Sequence, residues 1–259
     1  MHSIVDNCFC KEENDNICNI CLKNVPALEK DHVPPKCTGN SRNYCFQNFF
    51  PLTPEESFKI VTEGIGFKTI CPWCNRQLSR YDRTLSKVYK TIQQSRRDER
   101  YVQLNIQPYD FVRGVFGHFL SAKDTHTTSR MDEWLRDAVI GQDHEINPEL
   151  NMYVTHYPHA QVRVIRDLAF AVPTKEGLFF TYNCIKIWPL AILLSDYPFL
   201  KQEECNWKRY FSLKRGFNAT VTFDKSVVNS VDWPEGDTAI PRLLGGYACK
   251  SIIGWPSVI

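Results

Sequence analysis

No run of about 18 or more apolar residues occurs in the 259-residue chain, so the sequence offers no membrane-spanning helix. The first residues, Met1 to Asn16, lack the apolar centre of a signal peptide, and a soluble, cytoplasmic protein is the expectation. Glycine is scarce, at 12 residues, which argues against a flexible or low-complexity chain. No G-x4-G-K-[ST], G-x-G-x2-G or G-x-S-x-G stretch is present. These absences speak against a nucleotide-driven motor, a dinucleotide oxidoreductase and an α/β-hydrolase. Charge of one sign is also missing: the formal net charge is +2, so any electrostatic preference must come from local clustering.

Cysteine, by contrast, is abundant, with 11 residues, and its spacing is informative. Cys18-x2-Cys21 and Cys71-x2-Cys74 are two pairs of the kind that turn both sulfurs toward one ion, so together they predict a closed tetrahedral zinc site. A metal-type spacing without a leader favours reduced thiols over disulfides. Cys8 and Cys10 are read as free thiols of a polar arm, Cys37 and Cys45 as packing residues, and Cys184, Cys205 and Cys249 as isolated packing residues.

Between the pairs stands Asp31-His32-Val33-Pro34-Pro35, and Asn75 directly follows Cys74. Val25 to Lys30 reads as a strand that the prolines stop, because proline cannot donate to a ladder. Asn75 to Gln94 reads as a helix. In this order, the motifs resemble the HNH (His-Me finger) endonucleases of the zinc-containing treble-clef type, over roughly residues 15 to 95. The resemblance implies that Asp31 is a metal-binding carboxylate, His32 the general base and Asn75 a second ligand of the same catalytic metal. It also implies phosphodiester hydrolysis, with DNA the likelier nucleic acid and a role in restriction or anti-phage defence.

The chemistry is consistent with two metals of different duty. Four thiolates suit a structural Zn2+ with no open position, whereas Asp31 and Asn75 oxygens suit a hard catalytic ion, Mg2+ or Mn2+. A histidine of near-neutral pKa suits activation of water. Two features depart from the family pattern. The 49 residues from Leu22 to Ile70 exceed what a compact hairpin needs, so Thr38 to Gly66 reads as an insertion. The middle Asn of the family triad has three unranked candidates: Asn40, Asn43 and Asn48. Within the insertion, Thr53-Pro54-Glu55-Glu56 has the signature of a helix start and predicts a short helix to about Thr62.

From Arg76 to Arg100 there are eight basic residues against three acidic ones, the strongest bias in the chain. Arg76, Arg80, Arg83, Lys87 and Lys90 fall at alternating four- and three-residue steps, which aligns them on one helical face able to follow phosphates, or simply to face solvent. Asn75, Ser79 and Asp82 form a second stripe, where Asp82 is suited to support the site through water or to orient a basic residue.

Beyond about Arg100 the resemblance fades. Tyr101–Gln107 alternates as a strand, Asp110–Leu120 and Asp132–Ile140 show helical periodicity, and β-branched or aromatic runs cover 152–157, 161–165, 168–172, 178–182 and 185–194. Thr174 to Gly177 suits a hairpin turn, and further short strands are expected at 219–223 and 226–231. His156-x2-His159 lacks a partner ligand and reads as a strand end. The expected fold is α+β: a polar arm (1–17), a zinc-bound treble-clef ββα-metal nuclease module (18–100, with an insertion at about 38–66) and a β-rich α+β domain (101–259). That last region carries no chemistry of its own and is assigned to targeting, regulation or homodimer formation. The competing expectation is a catalytically inactive, zinc-stabilised nucleic-acid-binding protein.

Overall fold

The computed structural model describes residues 3–5, 9–11, 15–48, 58–123, 125, 126, 128–141, 145–171, 179–231, 233, 242, 243 and 251–257. The strands are β1 (Ser3–Val5), β2 (Phe9–Cys10), β3 (Glu29–His32), β4 (Tyr44–Asn48), β5 (Lys59–Val61) and β6 (Gly66–Ile70), followed by helix α1 (Pro72–Gln94). Then come β7 (Tyr101–Ile106), helices α2 (Pro108–Ser121) and α3 (Arg130–Ile140), β8 (Asn151–His156), β9 (Val162–Ala171), β10 (Phe179–Ile187) and β11 (Leu190–Ser195). Strands β12 (Ala219–Asp224), β13 (Arg242–Leu243) and β14 (Ser251–Pro256) complete the order. The fold is mixed α+β, as expected: a sheet-rich body with three α-helices among the described residues.

The largest sheet runs β1-β5-β4-β14-β9-β10-β11-β8, with β13 also on β9. It takes β4 and β5 from the segment expected as an insertion and joins them through β14 to strands of the second region. A three-stranded sheet, β2-β6-β3, lies under α1, and β12 pairs antiparallel with β7. Among the described residues no helix is long and apolar enough to cross a membrane.

Helix α1 begins where Cys71 caps it and Pro72 occupies its first turn, a position where the missing N–H costs nothing. Cys74, Leu78, Leu85, Val88, Tyr89 and Ile92 make its buried stripe. Every residue of α2 except Asp110 is buried, because α1 and α3 cover the helix from two sides. Gly114 and Gly117 let α1 and α2 approach closely: a Cβ on Gly114 would lie 2.9 Å from Tyr81 Cβ, and one on Gly117 would run into the side chain of Leu78. A buried ion network then ties α3 to the main sheet. Asp132, fully buried, meets Lys123 Nζ at 2.6 Å and Arg166 Nη2 at 2.5 Å, and also completes the capping box of α3 with Ser129.

Several expected elements shift. The strand expected over Val25 to Lys30 is β3, from Glu29 to His32; Asn24 and Val25 instead pair back with Ile17 and Asn16. The expected helix to Thr62 does not extend there: Lys59–Val61 is strand β5, paired with β1 and β4, while residues 53–57 lie outside the described residues. The runs at 161–165 and 168–172 are one strand, β9, carried through a left-handed Asp167 (φ 54°) that Asn183 holds by accepting from its N–H at 2.7 Å. The run at 185–194 is instead two strands folded back at Trp188-Pro189, where proline cannot donate to a ladder. Residues 226–231 contribute only an isolated bridge, Val228 to His156, and the turn expected at 174–177 lies outside the described residues.

Candidate functional site

The four cysteines of the two pairs converge. Ligand atoms of Cys18, Cys21, Cys71 and Cys74 all lie within 4.8 Å of one another, the only such cluster among the described residues. Cys21 Sγ and Cys71 Sγ are 3.8 Å apart. A tetrahedron with Zn–S bonds of about 2.3 Å has edges of about 3.8 Å, so the arrangement fits a tetrahedral ion such as zinc. Backbone donors face the sulfurs as they would thiolates: Cys71 N–H donates to Cys18 Sγ at 3.2 Å and Cys74 N–H to Cys71 Sγ at 3.4 Å. A bond from the Cys74 thiol pulls the pKa of Cys18 down and pushes that of Cys74 up, so without an ion the sulfurs compete for negative charge.

The first pair is fixed by its surroundings as well as by its sulfurs. Asn19, buried between Cys18 and Cys21, donates through Nδ2 to Leu120 O and Lys123 O at the end of α2, while its backbone carbonyl accepts from Arg136 Nε at 2.9 Å. Its backbone N–H bonds Thr69 O on β6. The knuckle, the β3–β6 hairpin and the start of α1 therefore meet at the cysteine cluster.

Asp31 and His32 end β3, opposite Phe67 and Gly66 of β6. Successive strand residues point to opposite faces, so the two side chains diverge. Asp31, 6% exposed, turns inward to His118 of α2, with His118 Nδ1 2.9 Å from its Oδ2. The other ring nitrogen of His118 lies 2.8 Å from Asp82 Oδ1 on α1. Burial disfavours the imidazolium, but the two carboxylates outweigh it and push the His118 pKa up to about 10, so both ring nitrogens donate. Asp82 thus orients a basic residue, and that residue is His118, which sequence reasoning missed.

His32 is half-buried, and its environment runs the other way. Burial, with the positive charges of Lys36 and Lys30, holds its pKa down to about 4, leaving a neutral imidazole at pH 7. Its Nε2 is buried without a hydrogen-bond partner among the described residues. The backbone around it is braced by Asn40, fully buried, whose Nδ2 donates to Pro34 O and Ile65 O and whose Oδ1 accepts from Ile65 N–H at 2.8 Å. Of the three unranked asparagines, Asn40 makes this brace and is fully buried, whereas Asn43 and Asn48 are partly buried.

Asn75 sits in the first turn of α1, its Nδ2 donating to Glu29 Oε2 at 2.9 Å. The structure therefore gives Asp31 and Asn75 separate partners, His118 and Glu29. Asp31 Oδ1 and Asn75 Oδ1 stay outside these two bonds. Farther along α1, Arg76, Arg80, Arg83, Lys87 and Lys90 are all exposed. Compared with models of protein families, with curated proteins and with solved structures, the chain finds no match.

Proposed function

We propose that the chain is a metal-dependent endonuclease of the HNH type, a zinc-bound treble-clef module that hydrolyses phosphodiester bonds, with DNA as substrate. The observation that carries this reading is His32. It closes strand β3 opposite Gly66, at the end of the β3–β6 pair away from the cysteine cluster, is neutral at pH 7 and holds Nε2 without a partner among the described residues. A neutral imidazole is the form that takes a proton from water, although a pKa of about 4 makes it a weaker base than the near-neutral histidine expected from the sequence. Zn2+ on the four cysteines is structural and fastens the knuckle to the hairpin and helix. Asp31 and Asn75 would hold Mg2+ or Mn2+, which when bound supplies charge stabilisation to the phosphate and leaving oxygen. In that scheme His118 fixes Asp31 through Oδ2 and leaves Oδ1 for the ion, as hydrogen-bond partners of metal ligands commonly do.

A second reading, a zinc-stabilised nucleic-acid-binding protein without catalysis, is favoured by the separate partners of Asp31 and Asn75. Plasmid incubated with the protein and Mg2+ or Mn2+ separates the two. His32→Ala should keep the fold, the zinc and the affinity, while cleavage falls roughly a hundred- to ten-thousand-fold. Asp31→Ala and Asn75→Ala should lose cleavage through weaker ion binding, with partial rescue by excess Mn2+. Equal cutting by His32→Ala would remove His32 from the role of base.

A further inference from the structure

The second region carries a cavity of about 610 Å³ between α2 and the segment 208–215. Arg113, Lys208, Arg209, Lys214 and Arg215 line it against one carboxylate, Glu145. None of Lys208, Arg209, Lys214 and Arg215 forms an ion pair with a described residue, although Asp110 lies near enough to Arg215 and Arg113 to feel both. Like charges gathered in a concavity repel one another, and low-dielectric walls concentrate their field. Such an arrangement is relieved by an anion.

The cations stand on a rigid base. Trp207, 1% exposed, packs on Phe111 of α2 with ring centroids 4.7 Å apart, and Phe211 meets Phe116 edge-on at 5.8 Å. Arg113 is stacked over the ring of Tyr109, 3.4 Å from its centroid. The backbone under the cavity and Arg113 are therefore held in place before binding, and the cost that remains is the ordering of the exposed lysine and arginine side chains.

The cavity also continues toward α1. A smaller hollow of about 150 Å³ shares Tyr109 and Arg215 with it and ends against Arg80 and the half-exposed Trp73. Arg80 belongs to the exposed basic row of α1. A path of cations interleaved with aromatic faces extends in this way from α1 to residue 215, longer than a single phosphate needs. Strand binding uses the same combination, a basic groove with rings on which bases stack.

We infer that this cavity and the adjoining hollow bind the phosphate backbone of a nucleic-acid strand, making the second region the part that holds the target. The inference rests on the nucleic-acid half of the reading above and needs no catalysis. The test is fluorescence anisotropy with a labelled single-stranded DNA oligonucleotide, without added Mg2+ or Mn2+, across a salt series. Lys214→Ala/Arg215→Ala and Lys208→Ala/Arg209→Ala, which remove exposed or half-buried unpaired cations, should keep the native circular dichroism spectrum and weaken binding. The slope of log K against log salt should fall by about 0.7 for each phosphate that is no longer neutralised. Arg97→Ala/Lys201→Ala, on exposed cations outside the cavity, should change neither.

Unchanged affinity and slope in both cavity variants would overturn the inference. So would competition by a mononucleotide or inorganic phosphate at the oligonucleotide's own concentration, which would mark a small-anion site. A protein that binds through these residues yet never cuts would sink the nuclease reading alone; one that cuts while the cavity variants bind normally would sink this one alone.

Discussion

His118 Nδ1 lies 2.9 Å from Asp31 Oδ2, so a histidine of α2 holds the carboxylate that precedes the candidate base, across 87 residues of sequence. Its other nitrogen engages Asp82, which makes the ring a cationic bridge among β3, α1 and α2. His118→Ala should leave buried Asp31 without its counter-charge and cost about 3–5 kcal/mol, the range for breaking a buried pair. Urea unfolding measures it; a loss below about 1 kcal/mol would mean that the bridge contributes little to the fold.

Cys74→Ser or Cys71→Ser should lose the bound ion and unfold the knuckle, since small metal modules draw much of their stability from the ion. Elemental analysis of the native protein should give one zinc per chain. Full zinc in Cys74→Ser would rule out the four-thiolate site.

Asn40→Ala removes a side chain that satisfies Pro34 O and Ile65 N–H, while Ile65 O keeps Val33 N–H at 3.2 Å. Each buried backbone group left unpaired costs about 1–3 kcal/mol. Stability should drop by roughly 2 kcal/mol or more, and the Ile65 amide should exchange with deuterium far faster than in the native chain. Unaltered exchange at Ile65 would show that the brace is dispensable.

Arg100 grips Asp224 with two nitrogens, at 3.0 to 3.3 Å, closing the end of the β7–β12 ribbon. The bond from Arg100 holds the Asp224 pKa down to about 2. A carboxylate whose folded pKa lies below its unfolded one adds stability that is complete above about pH 4 and fades as pH falls toward 2. The pair lies at the surface and its effect is small. Melting temperatures of the native chain and Arg100→Ala should differ near neutral pH and converge between about pH 4 and 2; a constant gap across that window would contradict the linkage.

The parts of the site visible in the sequence are those set by local spacing. A C-x2-C pair needs only its own turn to aim two sulfurs, and the expectation that the four cysteines gather agrees with the cluster seen. The helix was legible from Asn75 to Gln94, but its start lies three residues earlier, because Cys71 caps it and Pro72 occupies its first turn. His118 was not legible: it stands in an almost wholly buried helix, and only its polarity among Val115, Phe116, Phe119 and Leu120 signals that a buried partner must exist. Asn40 could not be told from Asn43 or Asn48, because its role depends on the left-handed turn Glu63-Gly64, which brings Ile65 back to it. The basic cavity escaped notice since its cations come from α2 and from residues 208–215, which tertiary packing alone brings together.

Strand β14 has a consequence for how the molecule is made. It lies between β4 and β9, and its partner β4 precedes it by roughly 200 residues. During synthesis the cysteine knuckle, its hairpin and α1 have all emerged long before Ser251–Pro256, so an ion held by the four cysteines would order them early. The main sheet, by contrast, stays open, with the edges of β4 and β9 bare to other strands until β14 arrives. A ribosome stalled between these points would hold a finished cysteine knuckle beside an unfinished, adhesive sheet.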